Sequence, residues 1–280
     1  MSLINEEIVG HYSHGSLNEV IQDGLQTMQN GSDSDPIDLL AGVDEFHMGG
    51  RSATKALAEK LQIRSDHRIL DVGCGLGGAA RYLASTFGCK VSGIDITAEY
   101  VAVGNQLNQS LGLDGQINLS VASATDMPFG DAEFDRASML HVGMNVADKP
   151  ALMAEIGRVT KPGGYFAVFD VMRVGGGVIE YPVAWAANES TSFVRSVDDY
   201  RGALEGASFE VIDITEKRDV ALNFFEAIKA RLAQGGPPPL GLHIVMGHDA
   251  KTKLVNMHEN VQKGAIAPVQ VLARKIATPR

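Results

Sequence analysis

The chain has 280 residues, with 34 acidic against 24 basic side chains and a formal charge of −10. That balance argues against nucleic acid or an anionic membrane as the main partner, since both need a basic face. Apolar residues make up 45% and charged residues 21%, ordinary for a globular chain with a sizeable core. No apolar run is long enough for a bilayer and no basic-then-apolar leader opens the sequence, so a cytoplasmic protein is expected. Cys74 and Cys89, the only cysteines, read as turn or core residues of a reducing compartment rather than a disulfide pair.

Residues 3–29 carry apolar side chains at helical spacing (Leu3, Ile4, Ile8, then Leu17, Val20, Ile21, Leu25, Met28), interrupted by His11-Tyr12-Ser13-His14-Gly15. Asn30–Pro36 is a loop by composition. After Val43–Gly50 a helix is expected from Ser52, as its cap, to Leu61. Residues 1–62 thus form an N-terminal helical arm, long enough to fold over a neighbouring pocket.

From Arg68 the pattern alternates between β and α, the mark of a doubly wound parallel sheet. Strands are expected at 68–72, 90–95, 117–121, 134–140, 165–171, 210–215 and 269–275. Helices should occupy about 78–86, 98–112, 148–160, 198–206, 221–233 and 251–262, with Lys161-Pro162-Gly163-Gly164 ending the third of these. This divides the chain into a core over 63–215 (with 174–197 an irregular lid segment), a cap insertion over 216–267, and a closing strand within 268–280. An insertion so placed serves as a lid or as an oligomer surface. The oligomeric state expected is monomer or homodimer.

Leu70–Arg81 carries the chemistry. A short apolar strand runs into a glycine-dense turn and then directly into a helix, whose free N–H groups make a ready anion site. Gly73, Gly75 and Gly78 satisfy the dinucleotide fingerprint G-x-G-x-x-G. Asp71 points elsewhere. A carboxylate at the strand tip would repel a pyrophosphate, whereas it suits the α-ammonium of S-adenosylmethionine (SAM), with the methionine carboxylate on the turn. Asp95 ends the second strand, where an acid accepts hydrogen bonds from ribose hydroxyls in either cofactor class, and Ile96 beside it can pack on adenine.

Asp71-x-Gly73-x-Gly75-x-Gly77 resembles the first motif of the Rossmann-like (class I) SAM-dependent methyltransferases. Ala122–Phe129 resembles their adenine loop, and Phe134-Asp135 and Lys161–Gly164 follow in the family's order. Gly75–Ala84 with Ser123 and Leu140-His141 is similar to the sarcosine/dimethylglycine methyltransferase group, and Pro128-Phe129 and Arg158–Gly164 to quinone-biosynthesis methyltransferases. The resemblance implies an α/β, doubly wound sheet of about seven strands with the last antiparallel. It implies SAM as cofactor and a small-molecule methyl acceptor as partner. The implied cofactor set is Asp71, Gly73, Cys74, Gly75, Gly77, Asp95, Ile96, Ser123, Ala124, Thr125 and His141, with Asp126 a further acid for the adenine amino group.

Methyl transfer from a sulfonium is an in-line displacement, so the protein supplies alignment, dryness and, for a protonated acceptor, a base. His141 at the end of the fourth strand is the candidate base or hydrogen-bonding group, with Tyr12 the second catalytic candidate. His11, His14 and His47 share the arm with Tyr12. Tyr181, Trp185, Phe193, Phe224 and Phe225 could build an apolar or cation-binding wall. No His or Cys spacing suggests a metal. A small amine of the methylglycine type is the first acceptor expected, with O- or C-methylation of a phenolic, quinone-like or natural-product acceptor as the alternative. An NAD-dependent oxidoreductase and a SAM-binding module without turnover are the readings from other classes.

Overall fold

A computed structural model of the chain describes residues 3–13, 15–30 and 33–277. In chain order the elements are α1 (Leu3–Tyr12), α2 (Leu17–Gln29), α3 (Pro36–Asp44), α4 (Gly50–Lys60), β1 (Arg68–Val72), α5 (Gly78–Phe87), β2 (Lys90–Asp95), α6 (Ala98–Ser110), β3 (Ile117–Val121) and β4 (Phe134–Leu140). They continue with α7 (Lys149–Val159), β5 (Thr160–Arg173), α8 (Val197–Gly206), β6 (Phe209–Glu216), α9 (Arg218–Gly235), α10 (His243–Met246), α11 (Ala250–Gln262) and β7 (Ile266–Lys275).

The seven strands form one sheet in the order β3-β2-β1-β4-β5-β7-β6. All pairs from β3 to β5 are parallel, and β7 runs antiparallel to both neighbours. The alternating pattern and the last-strand reversal expected of the fold are both present. After β1 the chain winds to one side of the sheet and after β4 to the other, so a crevice opens at the carboxyl ends of these two adjacent strands. Ligands bind at such a switch point in open α/β sheets. Asp71 and His141 stand at its two lips.

Local chemistry explains most element starts. Asp35 and Asp148 accept hydrogen bonds from the N–H groups of Ile37 and Ala151, each with a proline in the first helical turn. Ser196 and Asp199 form a reciprocal capping box on α8. Three expectations need correcting. Gly49, not Ser52, caps α4, which begins two residues earlier than read. The Pro36–Asp44 helix was not anticipated, being only nine residues long and interrupted by Asp38 and Gly42. Helix α7 does end at Val159, just before Lys161–Gly164. But β5 begins at Thr160 rather than at Tyr165, so those residues lie inside the strand, with a register shift against Phe134–Arg136 absorbing the irregular residues.

The arm and the insertion pack on each other and on the core. Leu17, Ile21, Leu40 and Val43 share one buried cluster with Leu76, Tyr100 and Leu107 of the core and with Leu240 and Val245 of the insertion. At about 1.5–3 kcal/mol for each large aliphatic side chain fully buried, this seam holds both elaborations firmly. A second cluster joins Met48, Trp185, Phe225, Met246 and Met257 over the carboxyl end of β5. No helix among the described residues is long and apolar enough to cross a membrane.

Candidate active site

A cavity of about 500 Å³ occupies the crevice. One end is polar and built from the first three strand tips; the other is apolar and roofed by the arm, the 184–185 segment and the insertion.

At the polar end, Asp71 is 2% exposed and pairs across the β1–β4 register with Ser138, whose hydroxyl donates to Oδ1 at 3.1 Å. Oδ2 is buried with no hydrogen-bond partner among the described residues. Leaving a buried carboxylate oxygen unpaired is costly, so this atom marks where a cationic donor belongs. Burial pushes the Asp71 carboxyl up to about 7, with Glu45 and Asp95 adding to the rise and the Ser138 bond opposing it.

Beyond Asp71 the backbone turns at Gly73 with φ of +69°, and a Cβ there would lie 2.2 Å from Val142. Only glycine lets the turn sit this close to the β4 loop. The Gly75 N–H donates to Asp95 Oδ2 at 2.9 Å and the Thr97 N–H to Oδ1 at 2.8 Å, which fixes the carboxylate at the second strand tip. Ser123 and Thr125 hydroxyls pair at 2.9 Å in the turn after β3. Asp71, Gly73, Cys74, Gly75, Asp95, Ile96, Ser123, Ala124, Thr125 and His141 all line the cavity.

Gly77 does not. It caps α5 in the left-handed conformation, its N–H spent on the Cys74 carbonyl, so its contribution is to start the helix. Asp126 is exposed and outside the lining, because the tight Ser123–Asp126 bridge turns it to solvent. Burial pushes the Cys74 thiol up, which leaves it uncharged.

His141 joins the two ends. Its backbone φ is +53°, a conformation that costs a non-glycine residue energy and is concentrated at functional positions. Nδ1 lies 3.1 Å from the Phe169 carbonyl, so it carries the proton, and Nε2 faces the Met48 N–H at 3.4 Å. Burial lowers the imidazole to about 4, so the ring is neutral. Tyr12 also lines the cavity; its hydroxyl accepts from Asn145 at 2.8 Å, and burial pushes the phenol well up.

Of the arm histidines, His47 lines the cavity, whereas His11 is bound to the Ala184 carbonyl at 3.0 Å outside it. His14 lies outside the described residues. Of the five aromatic residues expected as a wall, Trp185 and Phe224 reach the cavity; Tyr181 and Phe225 pack within the insertion cluster, and Phe193 lies outside the lining with its N–H on the Met144 carbonyl. The apolar wall is completed by Met48, Met144, Leu242, Val245, Met246 and Met257, which sequence reading did not single out. For the four from the insertion the only signal was its Met-rich, Phe-rich composition; Met48 and Met144 had none.

Residues 70–168 match the family model described as a methyltransferase domain. Residues 70–168 therefore form a methyltransferase domain, whose cofactor is SAM, on a sheet of the Rossmann-like methyltransferase order. Among its relatives, methyltransferase GfsG of Streptomyces halstedii is 29% identical over 180 residues, covering 63% of this chain and 64% of that protein. O-methyltransferase cnsE of Penicillium expansum is 31% identical over 176 residues, covering 61% and 62%. The matched part thus spans less than two thirds of either relative. In fold, the chain is similar to the geranyl diphosphate C-methyltransferase of Streptomyces coelicolor A3(2), with a TM-score of 0.71 at 18% identity over 98% of this chain and 99% of that one.

Proposed function

We propose that the chain transfers a methyl group from SAM to an oxygen or carbon of a small, uncharged, largely apolar acceptor. When bound, SAM supplies a methyl carbon made electrophilic by the sulfonium. Asp71 Oδ2 holds the α-ammonium, the Gly73–Gly75 turn lets the methionine end lie against the backbone, Asp95 holds the ribose hydroxyls, and Ser123–Thr125 the adenine edge. Tyr12 closes this end from above.

The observation that carries the acceptor class is the character of the wall. Met48, Met144, Trp185, Phe224, Leu242, Val245, Met246 and Met257 enclose the acceptor side, and neither Lys nor Arg occurs among the described lining residues. A methylglycine-type substrate would bring a carboxylate into a cavity already lined by Asp44, Glu45, Asp71 and Asp95, with no cation to meet it. The apolar alternative is therefore preferred over the small amine. His141, with its Nδ1 proton on the Phe169 carbonyl and its Nε2 facing the Met48 N–H, stands as a neutral part of the wall between the two ends.

The test is turnover with SAM and two acceptor sets, neutral phenols and enolizable ketones against sarcosine and dimethylglycine, with S-adenosylhomocysteine (SAH) quantified by mass spectrometry. Product from the neutral set alone supports the reading. Product from the methylglycines alone contradicts it, and SAM binding without SAH from either set leaves a non-catalytic module.

A further inference from the structure

We propose that His47, Thr54 and Glu45 form a relay that takes up the acceptor's proton, with Glu45 as its final holder. The inference rests on the methyl-transfer reading above and adds the group that takes the proton.

The three residues come from the end of α3, the following loop and α4, and all are buried, at 5%, 1% and 2% exposure respectively. His47 Nε2 lies 3.0 Å from Thr54 Oγ1, and Thr54 Oγ1 donates to Glu45 Oε2 at 2.5 Å. A hydroxyl has one proton. With that proton on Glu45, Thr54 can only accept from His47, which fixes the Nε2–H tautomer and leaves Nδ1 as the basic nitrogen. The ring lines the cavity, its centroid 5.9 Å from that of His141. Arg51 Nε holds the other Glu45 oxygen, so the carboxylate is fixed at both ends.

His141 has no such outlet. Its protonated nitrogen is bound to a backbone carbonyl, which cannot take a proton, so His141 could act as a base only by becoming a buried imidazolium. His47 can gain a proton at Nδ1 and release one at Nε2 in the same event, without ever carrying charge. As the acceptor oxygen bonds to the methyl carbon and the sulfur–methyl bond breaks, the acceptor's proton passes to Nδ1. The Nε2 proton passes to Thr54, and the Thr54 proton to Glu45. The sulfonium charge and the Glu45 carboxylate charge vanish together, and Arg51 keeps Asp38 at 3.4 Å on its outer side as the partner of the charge that remains. Burial and the adjacent Asp44 push Glu45 up to about 7, against the opposing pull of Arg51 and Thr54, which suits it to accept a proton near neutrality.

Two measurements test this. Nitrogen-15 NMR of histidine-labelled protein without acceptor reads the His47 tautomer directly: the relay requires neutral Nε2–H, and an Nδ1–H ring overturns it. Turnover at saturating SAM, read as SAH released with the neutral acceptor set, then separates the roles. His47→Asn and Thr54→Val should lower kcat roughly 10²-fold with the KM for SAM unchanged, while Thr54→Ser, which keeps the hydroxyl, stays within about threefold of the parent. Full kcat in His47→Asn or Thr54→Val overturns the relay alone. A parent chain that forms no SAH with any acceptor overturns the proposed function and the relay with it.

Discussion

Asp71 concentrates the chemistry of the polar end in one unpaired atom. Its carboxyl sits near 7 in the folded chain against 3.8 when exposed, so between these values the folded chain holds a proton that the unfolded chain has lost. Stability contributed by this group is therefore present at low pH and is lost as pH rises towards 7. An ammonium on Oδ2 favours the ionised form, so SAM binding expels that proton. Titration calorimetry should show SAM bound roughly tenfold more weakly at pH 6 than at pH 7.5, with proton release visible as a dependence on buffer ionisation enthalpy. Asp71→Asn should weaken SAM at least tenfold and abolish that pH dependence; unchanged affinity would remove Asp71 from the site.

At the scale of elements, the arm is tied to the cofactor helix by a fully buried ion pair. Arg81 of α5 donates to Asp44 of α3 at 2.7 Å, and also to Asn108 and the Leu76 carbonyl. Removing one partner strands the other charge, which costs about 3–5 kcal/mol. Arg81→Met should lower the melting temperature by roughly 10 °C in a thermal scan, and an unchanged midpoint would show the pair to be dispensable. Helix α1 is held differently, by the Tyr12–Asn145 and His11–Ala184 bonds and the edge contacts of Tyr12 with Phe46 and Tyr100. It lines the cavity through Ile4, Asn5, Ile8 and Tyr12. Deleting residues 1–13 should leave the circular dichroism of the core intact while speeding SAM dissociation about tenfold, measured by stopped-flow competition. Equal dissociation rates would mean that α1 does not cover the cofactor.

Across the whole molecule, legibility followed sequence distance. The polar end was readable because one strand and the turn after it place Asp71, Gly73 and Gly75 together, and β2 and β3 add Asp95 and Ser123 at predictable tips. Gly77 shares the motif's spacing but lies outside the cavity lining, at the start of α5, a distinction that spacing alone does not carry. The apolar end was opaque for a different reason. Met48, Trp185, Phe224, Met246 and Met257 come from five separate stretches, brought together only by the packing of arm and insertion over the sheet. Glu45 and Thr54 were hidden likewise, since a buried relay has no period and no spacing of its own. Fold class survived these gaps because the β/α alternation from 68 to 171 is local, and the final antiparallel strand follows from an insertion that returns the chain to the β5 edge.

The most direct measurement is a crystal structure of the chain with SAH. The α-ammonium should lie within hydrogen-bond distance of Asp71 Oδ2 and the ribose hydroxyls on Asp95, with the sulfur directed at the space between His141, His47 and Met48. Density for the amino-acid end elsewhere, with Asp71 Oδ2 still unpaired, would contradict the account at its root.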